Sequence, residues 1–71
     1  MARPRVHVDF NEVSRDGMMY ARHQDADQPL VMGAEVVLWD DDVVADGRVA
    51  AVNERYVTFW LKPGTYSTRR D

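Results

Sequence analysis

The sequence contains no cysteine and only two serines among its 71 residues. Without cysteine the chain has no disulfide framework, no thiolate zinc site and no thiol nucleophile. Chains that work in a reducing compartment have no need of disulfides, so a cytoplasmic location is predicted. Arginine outnumbers lysine eight to one, which is typical of GC-rich bacterial or phage genomes.

Long apolar runs are also missing. No run approaches the roughly 20 residues that a membrane-spanning helix needs. The first residues, Met1 to Arg5, lead into alternating apolar and polar positions instead of a signal-peptide stretch. A chain of this length buries only about 60% of its unfolded surface, so it forms one small domain of marginal stability.

Lysine and arginine are absent from the middle of the chain. Residues 23–47 carry seven carboxylates and no lysine or arginine, whereas residues 1–22 sum to +1 and residues 48–71 to +3. The net charge is −3. The sequence therefore places an acidic middle between two basic ends.

The residues needed for catalysis are scarce. Ser14 and Ser67 lack the glycine-flanked elbow of a hydrolase nucleophile, and the four glycines are spaced for turns, not for a phosphate loop. His7 and Asp9 could share the outer face of one strand, near His23, but no nucleophile accompanies them. We therefore predict no enzymatic activity and no cofactor.

An acidic run at Asp40, Asp41, Asp42 and Asp46 is the one candidate for a metal site. An EF-hand loop that starts at Asp40 requires glycine at its sixth position and glutamate at its twelfth, where this chain has Ala45 and Ala51. The motif fails. We therefore predict a solvated loop and no metal site. The alternative is a looser site for a hard cation.

Alternation with period two predicts strands throughout. The sequence predicts a strand over residues 5–13, a hairpin turn at Asp16-Gly17, a return strand over 18–23, a loop over 24–29, a strand over 34–40 and a reversal over 41–47. The clearest feature is a final hairpin with strands at 48–52 and 55–61. Residues 63–71 read as a polar tail, which Tyr66 could anchor through one helical turn.

The two faces of the final hairpin differ in chemistry. Cross-strand pairing is expected to place Ala50, Val52, Val57, Phe59 and Leu61 inside. The opposite face would hold Val49, Ala51, Tyr56, Thr58 and Trp60. The hydroxyl groups of Tyr56 and Thr58 and the indole of Trp60 favour a position in contact with solvent or a hydrogen-bonding partner. Val36 and Leu38 are predicted to share one face of the preceding strand, and Val37 and Trp39 the other.

Five short strands cannot bury an apolar face as a flat sheet, so an all-β, five-stranded barrel over residues 1–62 without a substantial helix is predicted. The pattern Leu30-x-x-Gly33-x-x-Val36-x-Leu38-x-Asp40, followed by Gly47-x-Val49 and the hairpin, resembles SH3-like barrels of the KOW and Tudor type. The resemblance covers residues 30–61. It implies a docking module for RNA, DNA, peptides or proteins.

We expect a protein partner, bound through an outward face formed by Trp39, Tyr56 and Trp60 with Arg48 and Arg55 as anchors. The alternative for these aromatic residues is a minor core under the loop at residues 24–33. A second functional hypothesis is a nucleic-acid-associated module, whose cations lie at the two chain ends: Arg3, Arg5, Lys62, Arg69 and Arg70. The chain is expected to be a monomer or a homodimer through an edge strand.

Overall fold

The computed structural model describes residues 3–68, so Arg69 and Arg70 of the nucleic-acid hypothesis lie outside the described residues. Alternating side chains produce strands over nearly half of this length, and two short 3₁₀ turns interrupt them. The strands are β1 (Arg5–His7), β2 (Met18–Arg22), β3 (Glu35–Trp39), β4 (Val43–Val52), β5 (Tyr56–Leu61) and β6 (Ser67–Thr68), and the 3₁₀ turns are Phe10–Glu12 and His23–Asp25.

The strands form one sheet in the order β1-β3-β4-β5-β2, with β6 paired to the start of β4. β1 and β3 are parallel, and the other pairs are antiparallel. The sheet curls into a half-barrel, and a bridge between Val6 and Ala26 joins β1 to the segment that follows β2. The predicted all-β class is confirmed, and the half-barrel is compatible with an SH3-like fold.

The concave side of the sheet holds a single apolar core. Phe59, Leu38, Val36, Val57 and Val6 are its largest fully buried side chains, together with Val49. The core contains no buried polar side chain among residues 3–68. Since apolar side chains alternate with polar ones on each strand, curling the sheet buries one side of every strand together.

The β4–β5 hairpin confirms the predicted faces of β5 and corrects those of β4. Phe59 is fully buried and Trp60 is 46% exposed, as predicted. Val49, predicted to face outward, is buried with 2% exposure, and Val52, predicted to lie inside, is exposed. A register shift between Val49 and Ala51 places Val49 opposite the buried Phe59, because a bulge changes which residues of a strand share a face. Val52 still pairs with Val57, and it is exposed at the end of β4.

The predicted strand over residues 5–13 is wrong beyond its first part. It ends at His7, since the Asp9 carboxylate accepts a hydrogen bond from the Asn11 N–H at 2.9 Å and starts the turn Phe10–Glu12. β1 pairs in parallel with β3, so it does not form a hairpin with β2. The turn before β2 does form, with Gly17 at a φ of 77°.

The predicted reversal at residues 41–47 is displaced. Asp40 Oδ1 accepts hydrogen bonds from the N–H groups of Asp42 and Val43, both at 2.8 Å, so the chain turns at 40–42 and β4 starts at Val43. Gly47 therefore lies inside a strand. A Cβ atom there would stand 2.6 Å from Leu38 Cδ1, so glycine permits this close approach of β3 and β4.

The chain end also differs from the expectation. Ser67–Thr68 pairs with Val43–Val44 as a short strand, where a helical turn was predicted. Tyr66 does make an aromatic contact, with the Phe10 ring at a centroid distance of 5.5 Å. Within residues 3–68 no helix has the length and apolar character needed to cross a membrane.

Candidate functional site

Three exposed aromatic side chains lie on the convex side of the sheet, on the adjacent strands β2 and β5. Tyr20 is 63% exposed, Tyr56 43% and Trp60 46%. We call these three residues the aromatic face. Each occupies an outward position because its strand neighbours, such as Met19, Val57 and Phe59, fill the core.

The strand register places Tyr20 between the other two rings. Tyr20 pairs with Thr58, which lies between Tyr56 and Trp60 on β5, so Tyr20 is a diagonal neighbour of both. The Tyr20 and Tyr56 rings are in contact, with centroids 5.7 Å apart and planes inclined by 52°. This is a tilted arrangement that aromatic pairs favour.

Two arginines flank the aromatic face in register. Arg22 on β2 pairs with Tyr56, and Arg48 on β4 pairs with Trp60. Arg48 Nη2 lies 3.7 Å from Glu35 Oε1, whereas Lys62 Nζ lies only 2.6 Å from the same oxygen. The hydrogen bond and charge of Lys62 lower the pKa of Glu35, and the more distant charge of Arg48 adds a smaller effect. Glu35 is therefore bound mainly by Lys62.

Tyr20 and Arg22 are the residues of this site that the sequence-based prediction missed. The signal was present, since Met18, Tyr20 and Arg22 share one face of the predicted return strand. The sequence predicts that the return strand pairs with the first strand, and that pairing would leave Tyr20 away from Tyr56 and Trp60. Pairing with β5 instead brings Tyr20 beside Tyr56 and Trp60.

Trp39 lies on the same side of the sheet but not beside the other two predicted aromatic residues. It is half-buried at the end of β3, pairs with Val44, and its ring lies 4.5 Å from the His7 ring. β4 separates β3 from β5, so Trp39 is not part of the aromatic face. Arg55 is exposed in the β4–β5 turn, next to Tyr56, with its N–H bound to Asn53 Oδ1.

Two of the three described cations of the nucleic-acid hypothesis are paired with carboxylates. Arg3 Nη1 lies 2.9 Å from Asp46 Oδ1, and Lys62 binds Glu35. The Arg5 main chain makes hydrogen bonds to Asp27, through its N–H at 2.9 Å and its carbonyl at 3.0 Å. Ion pairing of Arg3 and Lys62 reduces the positive charge available to phosphates.

His7 and several carboxylates line open grooves at the end of β1. Grooves of about 340 and 320 Å³ meet at His7, Val8 and Asp9, and the second extends to Asp40, Asp41 and Asp42. Within residues 3–68 no group of three or more histidine or carboxylate side chains has an arrangement suited to a metal ion. Ser14 Oγ accepts a hydrogen bond from the Met18 N–H at 3.1 Å, which gives this serine a structural role.

Comparison with known proteins places the chain in no family. No protein-family model, curated protein or solved structure matches it. The class of the protein therefore follows from its own architecture, a small all-β half-barrel with an aromatic face on its convex side.

Proposed function

We propose that this protein is a non-enzymatic docking module that binds a larger protein through the aromatic face, with Arg22 and Arg48 at its sides. The proposal extends the predicted Tyr56, Trp60 and Arg48 surface by Tyr20 and Arg22. It leaves Trp39 and Arg55 as peripheral contacts. In this proposal the half-barrel belongs with docking barrels of the KOW and Tudor type and acts in the bacterial cytoplasm.

The observation that carries the proposal is the exposure of three aromatic rings on two neighbouring strands. Tyrosine and tryptophan are enriched among residues that dominate binding energy at protein interfaces, as is arginine. Tyrosine and tryptophan side chains have few rotatable bonds, so binding orders them at low cost in conformational entropy. Three such rings in a marginal domain favour a role in binding over a role in stability.

A direct test compares the double variant Tyr56→Ala/Trp60→Ala with the control Tyr66→Ala in cross-linking and co-purification of the intact chain. Tyr66 is also an exposed aromatic residue, at 49%, but it lies outside the aromatic face. We expect the double variant to fold and to lose specific partners, because truncated interface anchors cost more than about 2 kcal/mol each. Tyr66→Ala should retain the partners. Loss of the same partners in both variants, or in neither, would contradict the proposal.

A nucleic-acid-associated module is the second candidate. The observation that favours it is the position of Arg22 and Arg48 beside aromatic rings on which bases could stack. Salt separates the two functions. Raising salt from about 50 to 200 mM should weaken a phosphate-based complex by orders of magnitude when several phosphate contacts form. A complex anchored by aromatic side chains should weaken only mildly.

A further inference from the structure

The outward positions of β2 and β5 carry no carboxylate. From one end of the pair to the other they are Met18, Tyr20 and Arg22 on β2, and, opposite them in the same order, Trp60, Thr58 and Tyr56 on β5. The aromatic face is therefore apolar at its centre and cationic at its sides, although the chain as a whole is acidic. A partner that complements the charge of this face must therefore be acidic, whereas one that complements the charge of the whole chain would be basic.

Both flanking arginines are available to a partner. Among the described residues Arg22 forms no ion pair within 4.0 Å. Arg48 has a side chain that is 55% exposed, and it shares Glu35 with the closer Lys62. Glu35 therefore neutralises Arg48 only weakly, and a new carboxylate could bind either arginine without breaking a short ion pair.

The two arginines lie at opposite corners of the aromatic face. Arg22 pairs with Tyr56 and Arg48 with Trp60, four residues further along β5 and on its other side. Four residues of strand span about 13 Å and two strand spacings about 10 Å, so the corners are about 16 Å apart. An extended peptide covers that distance with about five residues.

We propose that the partner presents an acidic, extended segment to this face, with carboxylates about five residues apart that bind Arg22 and Arg48 and apolar side chains between them that contact the three rings. This inference rests on the proposed function, because it names the chemistry of the partner at the same site. Arginine is the residue best suited to these contacts, since its planar guanidinium binds a carboxylate through two parallel hydrogen bonds.

The surroundings of the face favour a protein segment over a nucleic acid. Asp25 is bound to the Arg22 N–H, Glu35 adjoins Arg48, and Glu54 lies in the β4–β5 turn. A single strand of nucleic acid carries a phosphate at every nucleotide and would bring several of them near these carboxylates. A peptide can place two carboxylates at the arginines and keep neutral side chains elsewhere.

The test uses three synthetic peptides of equal length that share leucine and aromatic residues between two variable positions about five residues apart. The two variable positions hold glutamate, serine or lysine, and a short oligo-dT strand serves as the fourth probe. Binding is measured by NMR shift perturbation of the intact protein. We expect the glutamate peptide to bind about tenfold more tightly than the serine peptide, and the lysine peptide most weakly.

Charge reversal provides the matched comparison. In Arg22→Glu/Arg48→Glu the preference should invert, so that the lysine peptide binds most tightly. The control Arg5→Glu/Arg15→Glu changes the net charge equally at exposed positions outside the face, and it should keep the preference for glutamate.

The outcomes separate the inference from the function on which it rests. If all three peptides bind with equal affinity and Tyr20→Ala/Tyr56→Ala abolishes binding, the acidic partner is wrong and the docking face stands. If the aromatic substitutions change no affinity, or no peptide binds at all, the docking face itself is wrong. Tighter and steeply salt-dependent binding of oligo-dT would overturn the inference in favour of a nucleic acid.

Discussion

Phe59 and Trp60 are neighbours in the chain and lie on opposite sides of the sheet. The Phe59 side chain fills the centre of the core, whereas Trp60 extends from the convex side beside Arg48. A strand sends successive side chains to opposite faces, so two large aromatic residues in sequence must serve different purposes.

This division predicts different responses to truncation. Phe59→Ala should cost about 3–5 kcal/mol, because it removes buried area and leaves a cavity, and in so small a domain that loss should unfold the protein. Trp60→Ala should keep the native fold. Circular dichroism and urea denaturation measure both effects. A stable Phe59→Ala or an unfolded Trp60→Ala would reverse the assignment of the two faces.

The structure perturbs the titration of Glu35. Lys62 lowers its pKa from the ordinary value of 4.5, so the carboxylate is bound more strongly in the folded chain than in the unfolded one. Its contribution to stability is therefore complete above pH 4.5 and is lost as the pH falls through the lowered pKa. Because Glu35 is exposed, this contribution is small.

Removal of Lys62 should raise the pKa of Glu35 towards 4.5. An NMR titration of the Glu35 carboxyl carbon in Lys62→Ala measures this change directly. Arg48→Ala is the comparison, and it should raise the pKa less, because Arg48 is farther from the carboxylate. An equal or larger effect of Arg48→Ala would contradict the geometry.

At the level of elements, the start of β4 depends on one carboxylate. Asp40 accepts the N–H groups of Asp42 and Val43 on a single oxygen, which reverses the chain between β3 and β4. This local hydrogen bonding explains why the turn precedes the Asp46-Gly47 pair, whose residue types also favour a turn. Asp46 and Gly47 remain in the strand, where they pair with Val37 and Val36.

Asp40→Ala should destabilise the protein by about 1–3 kcal/mol, since two N–H groups lose a charged acceptor. Asp40→Asn should recover much of that loss, because an amide oxygen can accept the same hydrogen bonds. Asp41→Ala is the control at the next, exposed position and should change stability little. Thermal denaturation compares the three, and equal melting temperatures would show that the turn does not depend on Asp40.

For the whole molecule, the two ends of the sheet determine whether copies can pair. The segment after β2 covers β1 through the Val6–Ala26 bridge and the Arg5–Asp27 hydrogen bonds. On β2, Ser14 binds the main chain of Met18 and Asp25 binds the Arg22 N–H. Short, covered edges of this kind oppose pairing with another chain.

We therefore expect the protein to be a monomer, the first of the two states that the sequence allowed. Sedimentation velocity over a wide range of concentrations measures this. A dimer that grows with concentration and disappears in Tyr20→Pro would contradict the expectation, because proline at the middle of β2 removes an N–H donor from that edge.

The charges of the whole molecule also depend on the fold. The sequence separates an acidic middle from two basic ends, but the sheet brings them together. Arg3 from one end binds Asp46, and Lys62 from the other binds Glu35. Two cations of the predicted basic patch are thereby paired with carboxylates, whereas Arg22 and the weakly paired Arg48 beside the aromatic face remain open to a partner.

Several features of this protein could be predicted from the sequence because they are local. Alternation along a strand depends only on backbone geometry, so the opposite orientations of Phe59 and Trp60 follow from their adjacency. The turn between β4 and β5 follows in the same way from the two apolar runs that flank it. The missing residue types likewise exclude disulfides and a cysteine nucleophile without any knowledge of the fold.

Other features were decided only by contacts between residues far apart in the chain. The parallel pairing of β1 with β3, the bulge that buries Val49, and the position of Tyr20 beside Tyr56 all depend on how the sheet curls around its core. Alternation tells which residues share a face of one strand, but it does not tell which strand lies next to it. The aromatic face is made by two strands together, and for that reason Tyr56 and Trp60 on β5 were predicted from the sequence, whereas Tyr20 on β2 was not.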